Sequence, residues 1–148
     1  MKLYNFSENT RLYFKSYLTN RTQLVQIGNT TSTIMEIKSG VPQGSILGPI
    51  LFIMHINDMV YSCSDKAVDL YADDSTLYKS GTNINDIQNR LQNDLNRINI
   101  WCKYNNMALH PGKSKCMLIV PLSKLSQLDE LQLTINGQKL ENVKHKQV

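Results

Sequence analysis

Two adjacent carboxylates, Asp73 and Asp74, are the first residues of this 148-residue sequence whose chemistry points to a site. They lie between two short strand-like runs, Ala67–Leu70 and Thr76–Tyr78, and this pattern predicts that they cap the tip of a β-hairpin. Neighbouring carboxylates repel each other, so a bound divalent cation would explain a turn that concentrates them. Mg²⁺ commonly takes one or two protein carboxylates plus water and substrate phosphates. The alternative is a polar, solvated tip.

A glycine-containing loop, Ser39–Ser45, is the second candidate. Glycines let the backbone approach a ligand closely, and the side chain of Gln43 offers a donor and an acceptor on one planar group. A strongly apolar helix is predicted directly after the loop, running to about Tyr61, and the free amides at a helix N-terminus favour phosphate. The alternative is an ordinary loop before a helix.

A lysine in a predicted turn, Lys113, is the third candidate. The Gly-Lys-Ser around it imitates the end of a P-loop, but that motif needs a glycine where this chain has Met107. We therefore reject a P-loop and interpret Lys113 as a cation able to approach a phosphate. The alternative is a solvated surface lysine.

Taken together, the three segments resemble one known family. Residues 39–52 closely resemble motif B of non-LTR retrotransposon reverse transcriptases, residues 71–74 (Tyr-Ala-Asp-Asp) match motif C, and residues 109–115 resemble motif D. The family more often has asparagine at the position of His110. The resemblance extends over most of the chain and predicts that residues 1–148 form a single partial reverse transcriptase domain, a part of the polymerase palm.

The resemblance implies an RNA-directed DNA polymerase that joins a primer 3′-hydroxyl to an incoming dNTP. An RNA template, a DNA primer and dNTP would be its partners, and two Mg²⁺ ions its cofactor. Asp73 would bridge the metals, and Asp74 would be a more peripheral ligand. Lys113 would lie near the pyrophosphate leaving group, as its acid.

Four further residues would contact the substrates by the same resemblance. Tyr71 and Ala72 would lie near the primer end. Gln43 and Gly44 would pack against the template base and the incoming nucleotide.

The family pattern also includes a part that this sequence does not show. Another metal-binding aspartate belongs to an upstream motif A, but the carboxylates before Lys38 are Glu8 and Glu36, and neither lies in such a motif. Asp58 and Asp69 are poor substitutes, because Asp58 lies at the end of a helix and Asp69 lies four residues before the turn. We therefore expect a palm fragment of a mobile-element polymerase, without fingers or thumb, that is inactive alone. The alternative is a remnant that only binds nucleic acid non-specifically, and a third reading is an unrelated interaction module.

The predicted elements give an α+β fold, with an antiparallel sheet and two long packed helices. Ser7 caps a first helix toward Leu18. Strands at 23–27 and 33–37 flank a Gly-Asn turn. The clearest periodicity predicts an amphipathic helix over Asn85–Asn105. It comes from apolar residues at three- and four-residue steps, namely Ile84, Ile87, Leu91, Leu95, Ile98 and Cys102.

The last part of the chain predicts further strands. Leu109 and Met117–Val120 are expected to pair around the turn that precedes Lys113. Leu131–Ile135 and Lys139–Leu140 are expected to form a hairpin with a type I′ turn at Asn136–Gly137.

Composition adds weaker constraints. A formal net charge of +4 and a pI of about 9.0 suit a polyanionic partner. The three cysteines form no Cys-x-x-Cys pair, so we expect buried free thiols rather than a zinc site. The most apolar stretch, Ile46–Val60, is too short to span a bilayer, so no membrane partner is expected.

Overall fold

The computed structural model describes residues 5–121 and 130–143. Within these ranges three helices and ten short strands confirm the predicted α+β class. The helices are α1 (Glu8–Leu18), α2 (Leu47–Ile56) and α3 (Ile84–Tyr104). The strands are β1 (Arg21–Gln23), β2 (Gln26–Ile27), β3 (Thr30–Thr31), β4 (Met35–Ile37), β5 (Val68–Tyr71), β6 (Asp74–Leu77), β7 (Lys115–Met117), β8 (Thr134–Ile135), β9 (Gln138–Lys139) and β10 (Glu141–Val143). No helix in the described ranges is long and apolar enough to cross a membrane.

The described strands form five separate pairs, so the predicted single antiparallel sheet is wrong. The pairs β1–β4, β2–β3, β5–β6 and β8–β9 are antiparallel, whereas β7 and β10 are parallel. The strand pair predicted around Leu109 is also wrong, because a 3₁₀ turn at Pro111–Lys113 leads directly into β7. Strand partners depend on packing between distant residues, so the local pattern did not show that β10 covers the buried Cys116.

The two long helices of the prediction reduce to one. α3 has 21 residues and lies within one residue of its predicted bounds. α2 has only 10 residues and ends at Ile56, and a 3₁₀ turn at Met59–Ser62 follows it. Asn57 and Asp58 are poor helix formers and separate the two, which explains why the apolar run does not form one continuous helix.

Asparagines cap both ends of α3. Asn83 Oδ1 accepts hydrogen bonds from the backbone N of Asn85 (2.9 Å) and Asp86 (3.3 Å), which satisfies amides that lack intrahelical partners. Just past its end, Asn106 has a left-handed φ of 55°. Asparagine tolerates that conformation better than most residues, so the helix stops there.

The buried face of α3 connects two apolar clusters. The first cluster comprises Leu91, Cys116, Leu131, Leu133, Ile135 and Leu140. The second comprises Met59, Cys63, Val68, Ile98 and Cys102. The three cysteines are therefore buried free thiols, as predicted, and burial raises the pKa of each.

A boundary between Phe52 and Ile53 divides the chain into two compact units. In the first unit α1 buries no residue, although Ser7 caps it as predicted. The apolar side chains of this first unit are largely exposed, including Ile27 (78%) and Ile46 (89%). The second unit contains both clusters and the segments that resemble motifs C and D.

Candidate functional site

The predicted carboxylate-tipped hairpin is present in the second unit. Tyr71 lies opposite Asp74 as the last pair of β5 and β6, and only Ala72 and Asp73 form the turn. The strands therefore extend further toward the tip than the sequence predicted. Asp73 and Asp74 are exposed, and Tyr71 is 84% exposed. All four side chains at the tip are accessible to a ligand.

Ala72 adopts a left-handed backbone conformation, with φ at 51°. That conformation costs an ordinary residue roughly 1–2 kcal/mol, because Cβ approaches the following carbonyl oxygen. A larger or β-branched side chain would be still less tolerable here. A small side chain therefore suits this turn better than a bulky or β-branched one.

Lys113 lies on a hydrogen-bonded turn. The His110 carbonyl accepts hydrogen bonds from the backbone N of Lys113 (3.0 Å) and of Ser114 (3.1 Å), and from Ser114 Oγ (3.0 Å). Gly112 lies against the imidazole of His110, 3.3 Å from where a Cβ would stand. The backbone of Lys113 is held in this way while its side chain stays exposed.

One cavity of about 620 Å³ brings the hairpin and the lysine turn together. Its polar lining consists mainly of Asp73, Asp74, His110, Lys113, Ser114 and Lys115. Its apolar lining includes Leu91, Leu95, Ile98, Leu131 and Leu133. Among the described residues neither carboxylate of the hairpin tip forms an ion pair, so both are open to a cation.

The cavity lies between two strands, because all of β6 and all of β7 line it. In the described part of the chain β6 pairs only with β5, and β7 only with β10. One edge of each strand is therefore unpaired. Unpaired backbone donors and acceptors of this kind readily accept another strand.

The Ser39–Ser45 loop belongs to the first unit. Gly44 has a φ of 77°, and a Cβ built on it would meet no atom within 4 Å, so a ligand has free access to its backbone. Gln43 is exposed, and among the described residues its side chain has no hydrogen bond. Arg21 supports the loop, because its Nη2 donates to the carbonyl of Gly40 and its Nε to that of Leu18.

The start of α2 is less suited to phosphate than the sequence indicated. Ser45 Oγ accepts from the backbone N of Gly48 at 3.0 Å, so that amide is already satisfied. The next residue, Pro49, has no N–H. A Cβ on Gly48 would lie 3.1 Å from the carbonyl oxygen of Pro42, so this glycine allows the loop to pack on the helix.

The donor set at the hairpin tip fits Mg²⁺ in part. Two exposed carboxylates match the small number of protein ligands that Mg²⁺ usually takes. No group of three or more potential ligands is assembled anywhere in the described ranges. Further ligands would have to come from water, from substrate phosphates or from another polypeptide segment.

A family model described as reverse transcriptase (RNA-dependent DNA polymerase) matches residues 1–148. The chain belongs to the reverse transcriptase family. It is 33% identical over 133 residues to a protein named probable RNA-directed DNA polymerase from transposon BS of Drosophila melanogaster, a match that covers 84% of this chain. It is 31% identical over 115 residues to the RNA-directed DNA polymerase from mobile element jockey of the same organism, covering 73% of this chain.

These relatives confirm the assignment to reverse transcriptases of mobile elements. The matches cover only 15% and 13% of the two relatives, so this reverse transcriptase chain corresponds to a small part of their length. No solved structure matches the chain.

The structure also reveals buried charges of this reverse transcriptase segment that the sequence analysis missed. Asp94, in the middle of α3, is fully buried and forms an ion pair with Lys79. A signal was present, because Asp94 lies three residues after Leu91 and four before Ile98, on the apolar face of the helix. A carboxylate on that face needs a buried partner.

Proposed function

We propose that this chain carries the carboxylate hairpin, the lysine turn and the substrate loop of an RNA-directed DNA polymerase, where a primer is extended by template-directed nucleotidyl transfer. The observation that supports it best is the shared cavity, which Asp73, Asp74 and Lys113 all line. The residues that resemble motifs C and D are 35 or more positions apart in sequence, and they surround one space of ligand size.

In this proposal Asp73 and Asp74 would hold Mg²⁺, and Asp73 would be the ligand shared between two ions. Mg²⁺ bound there would supply the positive charge that an in-line displacement needs at its attacking and leaving oxygens. The exposure of both carboxylates leaves room for substrate phosphates and water as the other ligands.

Lys113 provides a cation in the lining of the same cavity. Its ammonium offers three donors and a positive charge where negative charge develops on the leaving pyrophosphate. The bonds to the His110 carbonyl fix the backbone of the turn, so the lysine side chain starts from a defined position. We assign it the role of proton donor to the leaving group.

The remaining site residues position the substrates. Tyr71 and Ala72 border the carboxylates at the hairpin tip and would contact the primer end. Gln43 and Gly44 offer an unpaired amide group and an open backbone, which suit a template base and the incoming nucleotide.

The unpaired edges of β6 and β7 are where we place the missing carboxylate. A further strand between them would lie beside Asp73 and would cover the apolar lining of the cavity. A two-metal clamp requires ligands beyond the two in the hairpin, and the tip alone provides one wall of such a site. The chain alone is therefore expected to extend no primer.

The test is a primer-extension assay with a chimeric polymerase, in which the matching 84% of this chain replaces the aligned segment of the transposon BS relative. We expect Mg²⁺-dependent extension by the chimera and none by the isolated chain. Asp73→Asn should reduce extension to background. Asp69→Asn is the matched control, since Asp69 is an exposed carboxylate of the same hairpin outside the cavity.

Full extension by the Asp73→Asn chimera would overturn the proposed metal ligand. An inactive chimera, together with salt-sensitive binding of nucleic acid by the isolated chain, would instead indicate a segment that only binds.

A further inference from the structure

Asp94 holds the chain at the start of the carboxylate hairpin. Its Oδ1 accepts hydrogen bonds from the backbone N of Ser64 (3.0 Å) and from Ser64 Oγ (2.8 Å). Ser64 lies four residues before the first residue of β5. One carboxylate oxygen thus fixes the strand that leads to the tip.

The other oxygen of Asp94 holds the end of the same hairpin. Lys79 Nζ lies 2.6 Å from Asp94 Oδ2, and the lysine side chain is only 2% exposed. Lys79 lies two residues after β6, and its neighbour Tyr78 still donates to the carbonyl of Ala67 (3.2 Å). Both legs of the hairpin therefore converge on a single buried carboxylate of α3.

A second layer of charges supports this arrangement. Asp65 Oδ2 accepts from Lys79 Nζ (2.9 Å) and from Arg90 Nη2 (2.6 Å). Arg97 Nη1 donates to Ser64 Oγ (2.9 Å). These contacts involve only residues at the base of the hairpin and on α3.

A buried ion pair is an inefficient way to gain stability, because apolar side chains of similar volume often serve as well or better. Its bonds are directional, however, whereas apolar packing is not. Val68 and the cluster around Ile98 already bury the inner face of the hairpin. The directional bonds therefore fix the angle of the hairpin on α3, whereas the apolar contacts already account for its burial.

We propose that Asp94 is a positioning residue, which sets the angle of the β5–β6 hairpin on α3 and thereby places the Asp73–Asp74 tip in the cavity. The tip lies four residue steps from the Ala67–Tyr78 pair, or about 13 Å at the usual strand rise, so a tilt of about 5° displaces it by about 1 Å. A displacement of that size can cost a catalytic site about 10²-fold. The consequence for catalysis rests on the function proposed above. The attachment of the hairpin to α3 through Asp94, Ser64 and Lys79, which we call the clamp, does not.

The first test is hydrogen exchange on the full chain. We expect Asp94→Asn to lower protection of the β5 and β6 amides at least tenfold more than protection of the amides of β7, β10 and central α3, which falls only with the global stability. Asp86→Asn is the matched control, because Asp86 is an exposed carboxylate of the same helix whose partner, Arg90, is 3.7 Å away. Unchanged hairpin protection, or equal loss throughout the second unit, would overturn the clamp.

A milder variant covers the case in which Asp94→Asn does not fold. Ser64→Ala removes the hydrogen bonds of Ser64 Oγ with Asp94 and with Arg97, and it leaves the backbone bond to Asp94 and the ion pair with Lys79 intact. It should lower the protection of the same β5 and β6 amides, by a smaller factor. Protection equal to that of the unsubstituted chain would count against the clamp.

The second test uses Mn²⁺ alone as a paramagnetic probe, with NMR resonances read across the cavity. Mn²⁺ at the hairpin tip should broaden the amide signals of Lys113 and Ser114, and Asp94→Asn should change that broadening at equal occupancy, whereas Asp86→Asn should not. Identical broadening in Asp94→Asn would overturn the positioning role. Failure of Mn²⁺ to bind the unsubstituted chain would overturn the proposed metal site, and hydrogen exchange would still decide the clamp.

Discussion

Lys79 Nζ and Asp94 Oδ2 lie 2.6 Å apart, and both side chains are withdrawn from water, with 2% and 0% of their surface exposed. Among the described residues this ammonium is the only partner of Asp94 Oδ2. Desolvation of both charges is expensive, and their mutual attraction offsets it only while the two remain together. The pair is therefore much more sensitive to loss of one partner than to loss of both.

The first prediction concerns stability. Asp94→Asn leaves the buried ammonium of Lys79 with the partly exposed Asp65 alone, and should lower the free energy of unfolding by about 3–5 kcal/mol. The double variant Asp94→Leu/Lys79→Met should lose less, because no charge stays buried. Urea unfolding followed by the fluorescence of Trp101 measures both. A double variant less stable than Asp94→Asn would contradict this account.

The second prediction concerns pH. Burial opposes the charge of Asp94, but hydrogen bonds from Lys79 and Ser64 outweigh it and hold its pKa below the ordinary 3.8. A carboxylate whose pKa is lower in the folded state stabilises the fold fully at pH values above its unfolded-state pKa. This stabilisation is lost as the pH falls through the folded-state pKa. Stability should therefore decline below about pH 4. Asp94→Asn should weaken that decline, and acid titration of unfolding measures it.

Part of the acid dependence should survive in Asp94→Asn. Hydrogen bonds from Lys79 and Arg90 also lower the pKa of Asp65. At the alkaline end, the bonds to Asp94 and Asp65 outweigh desolvation and raise the pKa of Lys79 above 10.5. The contribution of Lys79 to the free energy of unfolding is therefore complete below pH 10.5 and is lost only as the pH rises through the higher folded-state pKa. A decline of stability between pH 6 and 8 would need a different explanation.

Local sequence signals predicted some of this fold well. The period of α3, its length and the two positive-φ residues of the Asn136–Gly137 turn depend on neighbours within a few positions, and those predictions are confirmed. The parallel partner of β7 and the pairing of Lys79 with Asp94 join residues that are distant in sequence. Those relationships are decided by packing in the folded chain, so no local pattern predicted them.

Some features of the candidate site were likewise predictable from the local sequence, and others were not. The tip of the hairpin was predictable because turn residues separate two short strands. That Lys113 lines the same cavity as Asp73 followed only from the family resemblance, since nothing local joins the two segments. The supporting role of Arg21 for the Ser39–Ser45 loop was not predicted at all, because a bond to a carbonyl leaves no pattern in the sequence.

The third prediction concerns the left-handed Ala72. Ala72→Gly should raise the free energy of unfolding by up to about 1 kcal/mol, because glycine removes a left-handed cost of roughly 1–2 kcal/mol and adds a smaller entropic one. Ala72→Val should lower it, because a β-branched residue fits this conformation poorly. Thermal unfolding of the two variants gives the comparison. Equal stability of Val and Gly at this position would show that the turn is not strained.

The fourth prediction concerns nucleic acid. With a net charge of +4 and no strongly basic run, the chain should bind single-stranded RNA weakly and without sequence preference. Affinity should fall steeply with salt, since phosphate contacts release counterions. If Lys113 contacts a phosphate, Lys113→Ala should reduce the slope of log affinity against log salt concentration by about one. Fluorescence anisotropy at several salt concentrations measures this, and salt-independent affinity would refute it.

The fifth prediction concerns Lys113 in the chimeric polymerase. Loss of a general acid typically costs on the order of 10²-fold or more, so Lys113→Ala should slow single-turnover incorporation by that amount. Lys115→Ala is the matched control, because Lys115 lines the same cavity but is paired with Glu141 at 3.0 Å. A purely electrostatic role would be restored largely by Lys113→Arg, whereas proton donation would not, since a guanidinium holds its proton too tightly. If Lys113→Ala and Lys115→Ala slow incorporation equally, Lys113 has no special part in the chemistry.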